Sequence, residues 1–309
     1  MAAKHWDRKD LLGLESLSAS EIEFILDAAK SFSKSSKTFD TLKGSTVAFL
    51  FSEPSTRTRS SFEVAARRLG ADVLGFSVAA SSLLKGESLL DTIKNLEAMG
   101  VDYFILRHEQ SGVLEPLAPL TRASLVNAGD GAHEHPTQAL LDLYTLREKK
   151  GRIKGLRVVI VGDILHSRVA RSNIHGLRKL GAKVTVCGPS ALIPAGIEAM
   201  GVSVSHDLDE SLRGADAVNV LRLQLERQNQ NLVTSLSDYF GGFGLTAERL
   251  SRSPGCLVLH PGPMNRGVEI SSEVADGPQS AILEQVSNGV LVRMAVLSLI
   301  QGWRTRRGR

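Results

Sequence analysis

Residues 46–63 read TVAFLFSEPSTRTRSSFE and pass from an apolar segment, through a loop rich in hydroxyl groups and arginine, into a helical pattern. The run TVAFLF is short, apolar and partly β-branched, which is typical of a strand buried on both faces. Phe62, Ala66 and Leu69 then recur at helical spacing, and Gly70 can end the helix. This order of strand, loop and helix is the repeating unit of a parallel α/β fold.

The same unit recurs through the first half of the chain. DVLGFSV, DYFILR and SLVNAGD are further strand candidates. Helical patterns separate them: one spans 90–99 and counts Met99 among its apolar positions, and another begins near Pro136. Ahead of all these elements, Ser18 and Glu21 form a capping-box pattern that predicts a first helix.

A charged segment, REKKGRIKG at 147–155, separates these elements from a second series of strand candidates, LRVVIVGD, KVTVCGP, DAVNVLR and CLVLHPG. Periodicity is poor between 222 and 250, which predicts a long functional or mobile loop. An apolar-rich helix over 279–303 closes the chain. We predict an α/β protein with two doubly wound parallel-sheet domains. The first covers 1–145 and is completed by a C-terminal helix at about 286–303, the second covers 146–285, and 304–309 form a basic tail.

Composition and charge limit the classes of partner. Of the 309 residues, 42% are hydrophobic and 23% charged, as in a globular protein. The net charge of +4 is a property of the end of the chain, because RTRRGR holds four of the 37 basic residues and the remainder balances 33 acidic ones. We expect a solvated, frayed terminus and neither a nucleic-acid nor a membrane partner. Cys187 and Cys256 have no metal or redox spacing, and we expect a cytoplasmic protein.

The loop at 52–58 lies where a helix begins, and its residues suit an anion. Unpaired N–H groups and the positive end of the helix dipole make a helix start a ready phosphate site. Ser55, Thr56 and Thr58 add hydroxyl donors, whereas Arg57 and Arg59, two positions apart, cannot both face one ligand. A capped helix with a solvated basic face remains the alternative at this point.

Two familiar nucleotide-binding patterns do not fit the chain. It contains no G-x-x-x-x-G-K-[ST] loop, and VVIVGDILHSRVA has one glycine where a dinucleotide fold needs G-x-G-x-x-G. The predicted phosphate is therefore part of a small substrate. His133 and His135 flank Glu134, but this spacing at a loop-to-helix junction is poor for chelation and no third ligand is evident, so we expect neither a metal nor a cofactor.

Five motifs in this order, SEPSTRTRSSFE, KGESLLDT, LRH, NAGDGAHEHPTQALLDL and HPGPMNRGVEI, resemble the aspartate carbamoyltransferase family of the transcarbamoylase superfamily over nearly the whole length. The resemblance implies transfer of the carbamoyl group of carbamoyl phosphate to the amine of L-aspartate, in pyrimidine biosynthesis. It also implies a homotrimer with active sites shared between neighbouring chains. Within each chain it implies a site in the cleft between two domains that close on the substrates.

The resemblance also implies roles by position. Contacts with carbamoyl phosphate are implied for Ser55, Thr56, Arg57, Thr58, Ser81, Lys85, Arg107, His135, Gln138, Gly262 and Pro263. The implied catalytic residues are Arg57, Thr58, Lys85, Arg107 and His135. Fixed donors aimed at the carbonyl oxygen stabilise the charge that attack develops there. His135 is then a donor and not an obligate base, because the departing phosphate can take the amine proton.

Aspartate contacts are implied for Arg168, which holds the α-carboxylate, and for Arg222 and Gln224, which hold the side-chain carboxylate together with Lys85. Arginine suits a carboxylate because its planar fork donates two parallel hydrogen bonds. By the same resemblance, Lys85 lies in a loop that enters the adjacent subunit's site. The bland alternative from sequence alone is a mobile, solvated lysine.

Three other functions stay open at this stage. A transcarbamoylase for ornithine or another amine is the first, although such a site typically carries H-C-L-P where this chain has His260, Pro261, Gly262 and Pro263, and Arg222 would repel an ammonium group. A silent scaffold for another pyrimidine enzyme and a nucleotide-binding regulatory module are the others. A higher assembly with dihydroorotase or with regulatory chains also stays open.

Overall fold

The computed structural model describes residues 6–33, 38–75, 87–224 and 235–308. The chain divides into two units, one of Met1–Leu140 with Asn288–Arg309 and the other of Leu141–Ser287. The predicted boundary after residue 145 lies farther along the same helix than this division.

The first unit contains one parallel sheet. Its helices are α1 (Ala19–Ser33), α2 (Thr56–Arg68), α3 (Leu89–Ala98), α4 (Leu114–Leu117) and the start of α5 (Pro136–Lys150). Its strands are β1 (Thr46–Phe51), β2 (Asp72–Gly75), β3 (Val101–His108) and β4 (Ser124–Asp130). They lie in the order β2-β1-β3-β4 and all pair in parallel. The apolar runs become the buried strands β1, β3 and β4, whereas β2, at the edge, is largely exposed.

The first helix begins as predicted. The Ser18 N–H donates to Glu21 Oε2 at 2.8 Å, and the Glu21 N–H donates to Ser18 Oγ at 3.2 Å, so the capping box is reciprocal. The prediction for α3 is wrong at its end. Met99 follows the last helical residue and is 76% exposed, because the helix stops before its side chain can join the buried stripe.

The second unit contains the other parallel sheet. Its strands are β5 (Arg157–Val161), β6 (Lys183–Cys187), β7 (Ser203–Ser205), β8 (Ala217–Val220) and β9 (Leu257–Leu259), in the order β7-β6-β5-β8-β9. Its helices are α6 (Arg168–Lys179), α7 (Leu208–Leu212), α8 (Leu236–Phe243), α9 (Ala247–Ser251) and α10 (Ser272–Ala275). The sequence analysis missed β7, because two serines on either side of one valine at a sheet edge carry no hydrophobic pattern.

The segment 222–250, predicted to be a loop, contains α8 and most of α9. Side-chain caps start both helices: Ser235 accepts from the Asp238 N–H at 3.0 Å, and Thr246 accepts from the Arg249 N–H at 3.3 Å. These helices are short, and local capping rather than long apolar periodicity marks them. Residues 225–234 lie outside the described part of the chain.

The last helix, α11 (Ile282–Arg306), corrects part of the prediction of a solvated tail, because the helix includes Arg304, which is buried, whereas 305–308 are exposed. Arg304 is 8% exposed, donates to Asp102 Oδ1 at 2.7 Å and lies over the Tyr103 ring at 5.2 Å. Arg306 donates to the Trp6 carbonyl oxygen. By length and composition α11 could cross a membrane, but 56% of its most apolar window is buried, as in a helix of a protein core.

Candidate active site

The register of the first sheet brings three candidate segments to one edge. Phe51, the last residue of β1, pairs with Arg107 of β3, and the Ser52 N–H donates to the Arg107 carbonyl at 2.9 Å. One step along, His108 pairs with Asp130, the last residue of β4. The loops that leave β1, β3 and β4 therefore start side by side at the carboxyl ends of the strands, where open α/β sheets bind ligands.

The loop after β1 delivers the hydroxyl groups and Arg57 to the start of α2. Ser55 is the N-cap residue, and in the described part of the chain its side chain makes no capping hydrogen bond. The first N–H groups of α2 thus lack the side-chain acceptor that a capping serine supplies. Thr56 and Arg57 are exposed, Ser55 is half-buried and Thr58 is 8% exposed. A helix start without a side-chain cap is a type of position that suits an anion, as the sequence analysis predicts here.

Arg107 leaves the end of β3 with its guanidinium held by neighbouring groups. Its Nε lies 3.2 Å from Glu53 Oε2, and its Nη1 donates to the Ala128 carbonyl at 3.3 Å. The side chain of Arg107 is only 14% exposed. Burial and these partners fix the direction of the Arg107 guanidinium beside the loop at 52–58, whereas an isolated surface arginine has no such constraint.

His135 and Gln138 lie at the start of α5, and both are buried, at 4% and 8% exposed. The Gln138 N–H donates to the His135 carbonyl at 3.0 Å, which closes the first turn. The preceding residue, Glu134, is 1% exposed and accepts from the backbone N–H groups of Leu14 and Glu15 at 2.8 and 2.9 Å. The N-terminal segment therefore fixes the loop from which His135 projects.

A buried carboxylate fixes the other side of this loop. Asp130 Oδ2 accepts from the Gly112 N–H at 2.7 Å and contacts His133 Nδ1 at 2.9 Å, while Oδ1 accepts from Asn127 Nδ2 and the Glu134 N–H. Burial opposes the charge of Asp130, but hydrogen bonds from His133 and Asn127 lower its pKa. The hydrogen bond to Asp130 raises the pKa of His133 from 6.5 to about 8.

The structure places carboxylates near His133 that the sequence analysis did not predict to lie there. Nδ1 or Nε2 of His133 lies within 4.8 Å of ligand atoms of Glu115 and Asp130, and a second such group joins it to Glu15 and Glu134. His135, the other histidine considered above, belongs to neither group. Asp130 and Glu134 already accept hydrogen bonds from protein N–H groups, so their geometry is explained by holding the loop.

The second sheet places the predicted aspartate-binding residues in a similar way. β5 and β8 are neighbours, Val161 pairs with Val220, and the Leu221 N–H donates to the Val161 carbonyl at 2.8 Å. Arg168 is the first residue of α6 after β5, and it is 4% exposed. Arg222 is half-buried and follows β8 by two positions. Both arginines thus follow adjacent strands at the point where the strand order reverses.

Asp163 and His166 tie these two strand ends together. His166 Nδ1 contacts Asp163 Oδ1 at 2.8 Å, and the backbone carbonyl of His166 accepts from Gln224 Nε2 at 3.1 Å. Ser167, the next residue, caps α6 by accepting from the Ala170 N–H at 3.1 Å. The predicted residues Arg168 and Gln224 are therefore fixed to the same short loop. The sequence signal for Asp163 is a carboxylate two positions after a buried strand, and the sequence analysis did not single it out.

Gly262 and Pro263 follow β9 in the second unit. Gly262 has a φ of 65°, in the left-handed region that favours glycine, and its peptide bond to Pro263 is cis. Ser81 and Lys85 lie outside the described residues. Their roles stay predictions.

The chain matches two domains of one protein family, which together cover almost its whole length. Residues 9–148 match the family described as aspartate/ornithine carbamoyltransferase, carbamoyl-P binding domain, and residues 154–300 match its Asp/Orn binding domain. The chain therefore belongs to the aspartate/ornithine carbamoyltransferase family.

Within that family, the chain is similar to proteins that carry the aspartate carbamoyltransferase name. The chain is 57% identical over 298 residues to an aspartate carbamoyltransferase catalytic subunit of Endomicrobium trichonymphae, covering 95% of this chain and 96% of the relative. It is 58% identical over 298 residues to the subunit of that name from Syntrophobacter fumaroxidans, covering 95% and 98%.

Solved structures share the fold. The aspartate transcarbamoylase of Trypanosoma cruzi in complex with N-(phosphonacetyl)-L-aspartic acid superposes with a TM-score of 0.87 at 31% identity, covering 96% of this chain and 97% of that one. The ornithine carbamoyltransferase of Pyrococcus furiosus superposes with a TM-score of 0.86 at 32% identity, covering 98% and 99%. The two-domain fold is thus common to enzymes of both substrates.

Proposed function

We propose that the chain is the catalytic chain of an aspartate carbamoyltransferase. The α-amine of L-aspartate attacks the carbonyl carbon of carbamoyl phosphate, a C–N bond forms, and the C–O bond to phosphate breaks. The phosphate leaves with the electron pair and takes up the proton that the amine loses. The products are N-carbamoyl-L-aspartate and phosphate, in pyrimidine biosynthesis.

The observation that carries the proposal is the pairing of Phe51 with Arg107. It sets a half-buried guanidinium beside the loop that leads to the uncapped start of α2. Phosphate oxygens suit the N–H groups and hydroxyls of 55–58, and Arg57 adds a positive charge. This arrangement favours a site for a small phosphorylated substrate over the alternative, a capped helix with a solvated basic face and no ligand.

The remaining groups of the first unit suit the carbamoyl part of this substrate. Attack turns the carbonyl oxygen into an oxyanion, and donors held in place before the reaction lower the barrier because they need not reorganise. We assign Arg107 and His135 to that oxygen and Gln138 to the carbamoyl amide. Burial of His135 and Gln138 and the ties at Glu134 support this assignment, since a donor must be fixed to be effective.

The second unit supplies groups of the right charge for a dicarboxylic amine. We assign Arg168 to the α-carboxylate and Arg222 with Gln224 to the side-chain carboxylate. The fixed position of Gln224 on the His166 carbonyl supports the pairing of these residues. Ornithine would place an ammonium group near Arg222, and the relatives at 57% and 58% identity carry the aspartate name.

Assembly completes the proposal. We assign Ser81 and Lys85 to a loop that acts in the neighbouring subunit's site of a homotrimer, and we place the protein in the cytoplasm. A mixing experiment tests the sharing of sites: R57A and K85A chains, each inactive alone, should regain activity when dissociated and reassembled together. Mixed trimers without activity, of confirmed composition, would contradict shared sites.

The function itself is tested by an assay of carbamoyl phosphate with aspartate and, separately, with ornithine. We expect ureido product from aspartate alone. R57A should lose activity on the order of 10²–10³-fold because a donor to the developing charge is removed. R67A is the matched control: Arg67 lies on the same helix, is exposed and, among the described residues, forms its ion pair with Glu63 four positions earlier at 3.0 Å. Product from ornithine, or equal rates for R57A and R67A, would refute the proposal.

A further inference from the structure

The loop that follows β9 is spanned by a single buried imidazole. His260 Nδ1 accepts from the Gly262 N–H at 2.8 Å, and its Nε2 lies 3.1 Å from Glu269 Oε1. His260 is 2% exposed and Glu269 is 0% exposed. The ring therefore contacts both the beginning of the loop and the residue at its far end.

These contacts determine the tautomer of the ring. Because a backbone N–H donates to Nδ1, that nitrogen carries the lone pair, and the ring proton lies on Nε2 and donates to Glu269. The same Glu269 oxygen accepts from the Asn265 N–H at 2.5 Å. One ring and one carboxylate thus hold the backbone at two points, Gly262 and Asn265, on either side of Pro263.

A second buried network fixes the backbone of His260. Its N–H donates to Gln285 Oε1 at 2.9 Å, and Gln285 Nε2 donates to Asp142 Oδ1 at 2.7 Å. The other oxygen of Asp142 accepts from Asn173 at 2.8 Å and from Asn219 at 3.1 Å. All of these side chains are at most 2% exposed. Because the network reaches α6 and β8, the loop is positioned relative to the elements that carry the rest of this unit's site.

We propose that His260 is a positioning residue for substrate binding, because its ring holds the turn that presents Gly262 and Pro263. The inference rests on the proposed function and on the contact with carbamoyl phosphate that the family resemblance implies for those two residues. Gly262 has φ 65°, a conformation that glycine permits but does not impose. The hydrogen bond from the Gly262 N–H to His260 Nδ1 holds this conformation. An aspartate or asparagine side chain accepts the N–H two positions later in the same way in an Asx-turn.

Two substitutions separate the two ring nitrogens. In H260N, the Asn Oδ1 occupies the place of Nδ1 and can still accept the Gly262 N–H, whereas the contact with Glu269 is lost. In H260Q, the longer side chain can donate to Glu269 from the place of Nε2, but the acceptor for Gly262 is lost. Each variant removes one hydrogen bond of the ring. If His260 only stabilised the fold, the two variants should therefore lose similar amounts of Gly262 protection and of kcat/KM.

The experiment measures two quantities on the intact protein. Amide exchange at Gly262, followed in peptides covering 257–268, reports the turn without any substrate. Steady-state kinetics with carbamoyl phosphate and aspartate report KM and kcat. H206N and H206Q are matched controls, because His206 in the same unit bonds a backbone group through Nδ1, the Gly188 carbonyl at 2.8 Å, and has no part in the proposed site.

We expect H260N to keep the protection of Gly262 and a kcat/KM for carbamoyl phosphate within about threefold of the wild type. H260Q should lose that protection, and its kcat/KM should fall on the order of 10–10²-fold, mainly through KM, because a displaced loop misaligns the ligand. Equal protection in H260N and H260Q, or equal kcat/KM in both, would overturn the inference. A wild-type protein that consumes no carbamoyl phosphate would instead overturn the proposed function, and with it the role of the turn, whatever the exchange data show.

Discussion

The Glu134 carboxylate binds the backbone of Leu14, whose N–H donates to Oε2 at 2.8 Å, and Oε1 accepts the next N–H at 2.9 Å. This clasp joins two segments far apart in the chain. Near it, Leu11 pairs with Val126 of β4 as an isolated parallel bridge, through hydrogen bonds of 2.9 Å to Leu125 and from Asn127. The N-terminal segment thus pairs with β4, the edge strand that precedes the loop carrying His135.

Removal of this carboxylate should destabilise the protein. E134A leaves two N–H groups without their acceptor, the buried one of Leu14 and the part-buried one of Glu15, and we expect a loss of about 2–4 kcal/mol in the free energy of unfolding. E134Q, which keeps one acceptor oxygen, should lose about half as much. Urea denaturation measures both, with E23Q as control because Glu23 is exposed on α1. A loss in E134A no larger than in E23Q would show that the clasp does not stabilise the fold.

The C-terminal arginines should differ in their effect on stability. Arg304 has a side chain only 9% exposed and pairs with Asp102 at 2.7 Å, so R304A should cost about 2–3 kcal/mol, less than a fully buried pair because Asp102 is partly exposed. Arg307 is 61% exposed and lies 3.6 Å from Asp7, so R307A should cost no more than about 0.5 kcal/mol. Similar unfolding midpoints for the two variants would mean that the last turn of α11 is not anchored by Arg304.

Stability should depend on pH through His133. Its pKa in the folded protein, about 8, is above the usual 6.5, so the stabilisation is complete below about pH 6.5 and is lost as the pH rises through about 8. The described groups that face the ring are Asp130, Glu115, Glu134 and Glu15, all acidic. Urea midpoints measured from pH 6 to 9 should fall in the wild type and much less in H133Q. Parallel curves for the two proteins would refute this assignment.

Arg222 should act on one substrate only. R222A removes a charged donor from the proposed aspartate site, and we expect KM for aspartate to rise on the order of 10–10²-fold, as the loss of a hydrogen bond to a charged group implies. KM for carbamoyl phosphate should stay close to the wild-type value. Initial rates with each substrate varied in turn measure this. A rise confined to carbamoyl phosphate would show that Arg222 serves the other substrate.

The parts of the fold that could be predicted were those marked by apolar runs or by residues at a fixed short spacing. The strands β1, β3, β4 and β5 were predicted from sequence because a strand buried on both faces is rich in apolar residues along its length. The reciprocal cap at Ser18 was predictable because it depends on residues three positions apart. β7, α8 and α9 were missed because short elements near polar residues depend on tertiary contacts and local caps, which leave little periodicity.

The C-terminal arginines show why composition can mislead. A run of four basic residues in six looks like a solvated tail, yet helix α11 continues through Arg306, and Arg304 meets an acid about two hundred positions earlier in the chain. Nothing near Arg304 in the sequence signals Asp102. The long side chain can bury its stem and still place its charge on a partner, so burial of arginine is decided by the fold.

The sequence by itself determined the two-sheet α/β architecture and the identities of the candidate donors, because hydrophobic periodicity and ordered motifs are local properties of the chain. Only the tertiary structure decided which of those donors are fixed. Arg107 beside Glu53, the clasp of Glu134 on Leu14, and the His260 ring between Gly262 and Glu269 each join groups through strand register or loop closure. Register and loop closure arise when distant segments pack, and no short stretch of sequence contains them.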